Sequence, residues 1–385
     1  MRVLPDNPHL DFLRQEAKDL LVALRESEPS ASLGDAQRAL AVEYGFAGWS
    51  ALKTEVDQRR RQPPIAPDEL VDGLVEAFDL GPVTAVRPVS YSPLGRHWSV
   101  ITDRGRWLAV PGYPWMGDHQ AETGERLRSA AAEAGVRSPT PRRSRSGRLV
   151  ETIAGGPWRV SEWLEQGPVP SLPARAGVAR GVGVIAGALH ALAIPSEDPI
   201  NPYLTSRRPD ADWQELVRRA RTAGRPWADD LAALLPTVAE VGVLGAAVPT
   251  DGLLLCNCNL IPETLRLGPG DELIVLEWTF AGSHTAEQEV AGLLAHWALR
   301  PALNPVVARA FADGYRERAG TFPRLTRESF GLAVNSQLNW AYNTFCEAIS
   351  PADPDAADLA RREVPEQLRR PLTLELIDQL IAATG

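Results

Sequence analysis

The residues best suited to chemistry lie in one stretch of the chain, residues 253–282, with the sequence LLLCNCNLIPETLRLGPGDELIVLEWTFAG. It holds two of the three cysteines, Cys256 and Cys258, and near its end the acidic residue Glu277. Two thiols this close could bind a metal, but metal-binding pairs usually have at least two residues between them and a second pair elsewhere. We therefore predict no metal site, with Cys256 and Cys258 as small buried residues and His190, in an apolar run, as a structural histidine.

The same stretch predicts a strand, a polar loop, a strand, a turn and a further strand. Its Leu260, its Pro262 and its closing Leu-Glu-Trp run resemble the catalytic segment of the aminoglycoside phosphotransferase and choline kinase-like family. In that family the loop is His-x-Asp-Leu-x-Pro-x-Asn, and the next strand ends in Asp-Trp. The resemblance covers roughly residues 68–350. It implies an α+β, bilobal protein-kinase-like fold.

The resemblance also assigns a role to each position of the loop. Asn257 falls at the family's histidine, Asn259 at the catalytic aspartate, Thr264 at the metal-binding asparagine and Glu277 at the metal-binding aspartate. Phosphoryl transfer needs a carboxylate near the acceptor hydroxyl and oxygen ligands for Mg²⁺. Asn259 cannot accept a proton at neutral pH, and Thr264 offers a hydroxyl in place of an amide oxygen. Glu277 keeps its charge but is one methylene longer than aspartate, which the strict geometry of Mg²⁺ tolerates poorly.

The lysine that steadies the nucleotide phosphates is also missing. The resemblance places it at about Val110, and the sequence has no lysine after Lys53. We therefore expect no intact catalytic site, no metal, and weak or absent binding of ATP and Mg²⁺. Two alternatives stay open: Glu263 or Asp271 could serve as a displaced acid if the alignment shifts, and Glu277 could be a core-edge acid paired with an arginine.

Tryptophan is unusually frequent, with 11 residues against 8 phenylalanines and 6 tyrosines, and five of the tryptophans fall between residues 98 and 163. Burial in the core explains such residues, but some could instead line the cleft between the lobes and offer flat apolar faces to a ligand. Six residues are our candidates for ligand binding: Trp98, Trp107, Trp115, Trp163, Asn259 and Glu277.

Apolar spacing and turn residues divide the chain into three parts. Residues 1–60 form a helical module, similar to one common in actinobacterial proteins, and a linker rich in arginine and proline follows it. Residues 68–165 form a small β-rich lobe. Residues 166–385 form a helical lobe with an embedded β-hairpin that carries the former catalytic loop.

Composition limits the function classes further. The 40 basic and 49 acidic residues give a net charge of −9, which disfavours nucleic acid as a partner. No apolar run is long enough to span a membrane, and three cysteines are too few for a disulfide framework, so we expect a cytoplasmic protein.

We interpret the chain as a degenerate phosphotransferase that binds a small molecule between its lobes. The family implies an antibiotic or other natural product, with self-resistance by sequestration. The rivals are an active phosphotransferase that uses Glu277 with a displaced acid, and a biosynthetic enzyme that has recruited the cleft. The sequence leaves the oligomeric state open.

Overall fold

The chain divides into two structural units, each built from two segments. The first comprises residues 1–181 and 259–281, and the second comprises residues 182–258 and 282–385. The computed structural model describes residues 4, 10–61, 65–92, 95–113, 116–246, 248–268, 270, 272–300, 302–351, 354–369 and 371–385.

Three amphipathic helices begin the first unit and share a small core of their own. They are α1 (Leu10–Ser27), α2 (Leu33–Glu43) and α3 (Trp49–Arg61). Leu20, Leu40 and Leu52 are fully buried where the three apolar stripes meet. Ser32 caps α2 in a reciprocal capping box with Asp35, which explains why the helix begins there.

An antiparallel sheet forms the centre of the first unit. Its strands are β1 (Val83–Ser92), β2 (Gly95–Thr102), β3 (Gly105–Pro111), β4 (Pro141–Arg142), β5 (Glu151–Ile153) and β6 (Gly156–Glu162). They pair in the order β1-β2-β3-β6-β4, and β5 also pairs with β6. Two helices, α4 (Asp68–Phe78) and α5 (Asp118–Glu133), belong to the same unit. Phe78 of α4 packs with Trp98 and Trp107 of the sheet in one apolar core.

A short hairpin completes the first unit. Its strands, β8 (Leu265–Leu267) and β9 (Leu273–Val275), pair with Leu265 opposite Val275. The strand before them, β7 (Leu254–Cys256), belongs to the second unit and pairs with β10 (Gly282–His284). The strand, loop, strand, turn and strand predicted for this stretch correspond to β7, β8 and β9. The sequence did not predict β10, because its Gly-Ser-His residues lack the apolar alternation by which a strand is predicted.

The second unit is otherwise helical. Helix α6 (Ala176–Ala191) runs into it, followed by α7 (Pro202–Thr205), α8 (Asp210–Thr222), α9 (Ala228–Gly242), α10 (Ala286–Ala298), α11 (Pro305–Ala319), α12 (Gly331–Ile349), α13 (Pro354–Arg369) and α14 (Leu374–Thr384). Among the described helices, none combines the length and the apolar character needed to cross a bilayer. The mixture of an antiparallel sheet with helices confirms the predicted α+β class.

Candidate functional site

The Glu277 carboxylate lies two residues beyond β9 and is held by a forked ion pair. Arg159 donates from Nη1 to Oε1 at 3.2 Å and from Nη2 to Oε2 at 3.0 Å. The backbone N–H of Thr279 donates to the same Oε1 at 2.7 Å, and the Thr279 hydroxyl also contacts it. Both carboxylate oxygens are therefore engaged by donors within the first unit. The alternative that the sequence left open, an arginine paired with Glu277, is the arrangement found.

Arg159 comes from the strand next to the one on which the family resemblance puts a lysine. It lies on β6 directly opposite Val110 of β3. Directly opposed residues of antiparallel strands point to the same face of the sheet. The positive charge at this face therefore comes from β6 at Arg159 and not from β3 at Val110.

This arrangement determines the electrostatics of the site. Burial alone would raise the pKa of Glu277, but the charge and hydrogen bonds of Arg159, together with Thr279, outweigh it and leave the pKa below its usual value. His97 of β2 lies in the electrostatic field of Glu277 and Arg159. Burial lowers the pKa of His97 to about 4, and the positive charge of Arg266 acts in the same direction. At neutral pH the site therefore combines a charged Arg–Glu pair with an uncharged imidazole.

Helix α5 supports the segment that follows Glu277. The Gln120 side chain donates to the carbonyl oxygens of Thr279 and Ala281, at 2.6 and 2.9 Å. Gly124 of the same helix lies so close to the Trp278 carbonyl that a Cβ there would be 2.5 Å from the oxygen. Because real Cβ atoms do not approach that closely, glycine at 124 allows α5 to pack against this segment.

The loop before β8 is held by bonds to its own backbone. The Thr264 hydroxyl lies 2.5 Å from the Asn259 carbonyl oxygen and 2.9 Å from that of Ile261. Asn257 is fully buried in the second unit. Cys258 adopts a left-handed conformation with φ of 61°, which is uncommon for a residue with a side chain.

These side chains do not fit an Mg²⁺ ion of the kind that the resemblance implies. Mg²⁺ requires near-octahedral oxygen ligands at about 2.0–2.1 Å and keeps several waters. The Glu277 oxygens already accept from a guanidinium, and the Thr264 hydroxyl faces two backbone carbonyls. A cation at the carboxylate would therefore lie beside the positive charge of Arg159, which opposes its binding.

The tryptophans that the sequence singled out occupy different environments. Trp98 and Trp107 are only 4% and 7% exposed and belong to the core of the sheet, which favours the core alternative for both. Trp163 is half-buried, and the guanidinium of Arg106 lies 3.5 Å from its ring centroid. Trp115 is outside the described residues. Ligand binding by any of these side chains stays a prediction.

Comparisons with known proteins support the fold. No family model matches the chain. Homoserine kinases from Bradyrhizobium strains ORS 278 and BTAi1 are each 28% identical to it, over 65% and 75% of this chain and 76% and 90% of theirs. Three solved structures align with TM-scores of 0.55, 0.57 and 0.54 and sequence identities of 14%, 10% and 14%. They are an aminoglycoside phosphotransferase from Alicyclobacillus acidocaldarius, a spectinomycin phosphotransferase and an amicoumacin kinase, and the alignments cover 83%, 83% and 85% of this chain and at least 97% of theirs.

The chain has the aminoglycoside phosphotransferase fold. The predicted fold is thus confirmed, and the likeness to the family seen in the loop and the Glu-Trp run is confirmed with it.

Within this aminoglycoside phosphotransferase fold, sequence reasoning missed the partners of Glu277. Arg159 was part of a predicted strand, and His97 stood between Arg96 and Trp98 with no motif around it. The available signal was the absence of lysine near Val110, because a buried carboxylate needs a cation from some neighbouring strand. Only the register of β3 against β6 identifies Arg159 as that cation.

Proposed function

We propose that this chain binds a small molecule through its phosphotransferase fold and does not transfer phosphate from Mg-ATP. The observation that carries the proposal is the forked pair between Arg159 and Glu277. It places a fixed positive charge where the family resemblance requires a carboxylate free to bind a metal. Asn259 supplies an amide in place of a catalytic carboxylate, and so supports the same proposal.

The ligand would be a largely apolar or planar compound with at least one hydrogen-bond acceptor. The Nε of Arg159 is buried and has no hydrogen-bond partner among the described residues, so an acceptor that reached it would supply a hydrogen bond that is otherwise missing. Tyr113 and Phe280 stand edge to face with ring centroids 5.0 Å apart, and burial together with the Glu277 charge raises the pKa of Tyr113. Tyr113 therefore stays protonated at neutral pH and presents an uncharged aromatic surface near Glu277.

A natural-product antibiotic is our proposed ligand class, with self-resistance by sequestration as the biological role. Two structural neighbours carry antibiotic names, spectinomycin and amicoumacin. A thermal-shift screen of the purified chain against natural-product antibiotics, with and without Mg-ATP, tests this class. We expect a hit whose shift does not depend on Mg-ATP. A shift seen only when Mg-ATP is present would contradict sequestration without phosphorylation.

Isothermal titration with Mg-ATP tests the loss of phosphotransfer directly. We expect no binding in the millimolar range, since the missing lysine and metal ligands supply much of the phosphate affinity. A micromolar dissociation constant that requires Mg²⁺ would overturn the proposal. So would ADP release that Glu277→Ala abolishes while the matched variant of an exposed acid in the same segment, Glu272→Ala, retains it.

A second candidate is an active kinase for a small hydroxyl-bearing amino acid. The observation in its favour is the 28% identity to homoserine kinases over 75% of this chain. A coupled assay for ADP release with L-homoserine separates the two candidates. A rate of ADP release that rises with homoserine concentration favours the kinase. A rate that stays at the value measured with ATP alone favours the binding protein.

A further inference from the structure

A second group of chemically active side chains is buried within the second unit. The nitrogen Nε2 of His190 lies 2.6 Å from Oε2 of Glu289 and 3.5 Å from the sulfur of Cys256. All three side chains are nearly inaccessible to solvent. They come from three elements far apart in the chain, α6, α10 and β7.

We propose that His190, Cys256 and Glu289 bind a structural zinc ion. One nitrogen, one sulfur and one carboxylate oxygen, all within 4.8 Å of one another, form a donor set that zinc accepts. With Zn–S of about 2.3 Å and Zn–N of about 2.0–2.1 Å, tetrahedral geometry puts sulfur and nitrogen about 3.6 Å apart. The distance of 3.5 Å between the Cys256 sulfur and Nε2 of His190 already matches this value. The contact between Glu289 and His190 would have to lengthen by about 0.8 Å to reach the N···O distance of two ligands on a tetrahedral zinc ion.

The surroundings of the three donors support them as ligands. Nδ1 of His190 lies 2.8 Å from the Tyr315 hydroxyl oxygen, which can accept a hydrogen bond from Nδ1–H and leave Nε2 free for the metal. The second carboxylate oxygen of Glu289 accepts from the backbone N–H of Cys258 at 2.6 Å. Metal-binding histidines and carboxylates are oriented by such outer contacts in most metal sites.

Charge balance favours a divalent ion at this place. A Cys256 thiolate, the Glu289 carboxylate and neutral His190 carry a total charge of −2, which one Zn²⁺ cancels. On binding, the Cys256 thiol proton leaves to solvent, and His190 carries its one ring proton on Nδ1 so that Nε2 is free for the metal. Cys258 contacts Nδ1 of His284 and is not one of the three proposed ligands. A buried charge that is cancelled locally avoids most of the desolvation cost of an isolated one.

Metal analysis of the full chain tests the proposal. The protein is produced without a metal-affinity step, exposed to zinc, desalted and measured by mass spectrometry. We expect about one zinc per chain. Cys256→Ser should lower the content about tenfold or more, because hydroxyl is a poor zinc ligand. The control Cys346→Ser alters a free cysteine of the same unit that lies against Arg219, and it should keep the full content.

Cobalt substitution keeps the test decisive even if Cys256→Ser does not fold. The wild-type chain loaded with Co²⁺ should show a thiolate-to-cobalt charge-transfer band and the strong visible absorption of a tetrahedral site. No stoichiometric zinc, or cobalt spectra without the sulfur band, would overturn the proposal and leave the cluster as a hydrogen-bonded network. The outcome is independent of phosphotransfer, since neither measurement involves ATP.

Discussion

Removing the positive charge beside Glu277 gives the sharpest test of the site. Arg159→Met keeps most of the side-chain volume but leaves the Glu277 carboxylate without its cation. Breaking a fully buried ion pair costs about 3–5 kcal/mol. Because the two side chains are 21% and 20% exposed, we expect the lower end, about 3 kcal/mol. Glu277→Gln should cost a similar amount, and the double variant clearly less than the sum of the two.

The chain offers a matched control of the same chemistry at the surface. Arg143 and Glu122 form a forked pair with distances of 2.5 and 2.9 Å, but both side chains are about half exposed. Arg143→Met should cost less than about 1 kcal/mol, because water replaces the lost partner. Urea unfolding followed by tryptophan fluorescence measures the unfolding free energies of two double-mutant cycles, one for Arg159 with Glu277 and one for Arg143 with Glu122. A coupling energy between Arg159 and Glu277 no larger than that of the surface pair would show that burial does not strengthen this ion pair.

The pH dependence of the unfolding free energy should change direction when Arg159 is replaced. In the wild type the pKa of Glu277 lies below its usual value, so the pair stabilises the fold above about pH 4.3 and loses this contribution as the pH falls. In Arg159→Met, burial is the largest remaining effect and is opposed only by the bonds from Thr279, so we expect the folded-state pKa of Glu277 to rise above the unfolded one. The contribution of Glu277 to stability should then decrease as the pH rises through this window. A variant whose stability keeps the wild-type slope would show that Arg159 does not control Glu277.

Three further predictions concern other parts of the first unit. Because the pKa of His97 is about 4 in the fold and near 6.5 when unfolded, His97 should lower the unfolding free energy by up to about 1.4 kcal/mol for each unit that the pH falls from 6.5 to 4. His284, whose pKa is also lowered to about 4, should add a similar slope, so His97→Asn should reduce the slope in pH-dependent urea titrations by about half. Trp107→Ala should lower the unfolding free energy by about 3–5 kcal/mol as a core truncation, whereas Trp163→Ala should cost much less and, if a ligand stacks there, weaken its binding about tenfold or more. Deletion of residues 1–62 should leave the remaining chain folded, with ligand affinity within a few-fold; a loss of about a hundredfold would show that the helical module contributes to the site.

The sequence predicts much of this fold because local patterns carry it. The apolar stripe of α1, the turn residues between β2 and β3 and the Leu-Glu-Trp run after β9 are each visible within a few residues of sequence. Glu277 could be singled out for the same reason. These features need no knowledge of which strand lies beside which.

The partners of those features could not be predicted, because they depend on register and on distant segments. Arg159 meets Glu277 only because β6 pairs with β3, and the two residues are 118 positions apart. His190 and Glu289 are 99 positions apart, so no local spacing in the sequence could bring them together. For Trp98 and similar residues, alternation along a strand could not distinguish a core face from a ligand face.

The residue types at the positions that resemble the family's catalytic loop are physically linked to one another. A carboxylate at 277 with neither a metal nor a lysine nearby would be a buried, unpaired charge, which costs several kcal/mol. The forked contact from Arg159 removes that cost, and the bonds from Thr279 satisfy the carboxylate further. The Glu277 carboxylate is thus held by a cation from β6 and by donors from its own segment, so its burial does not by itself require a metal.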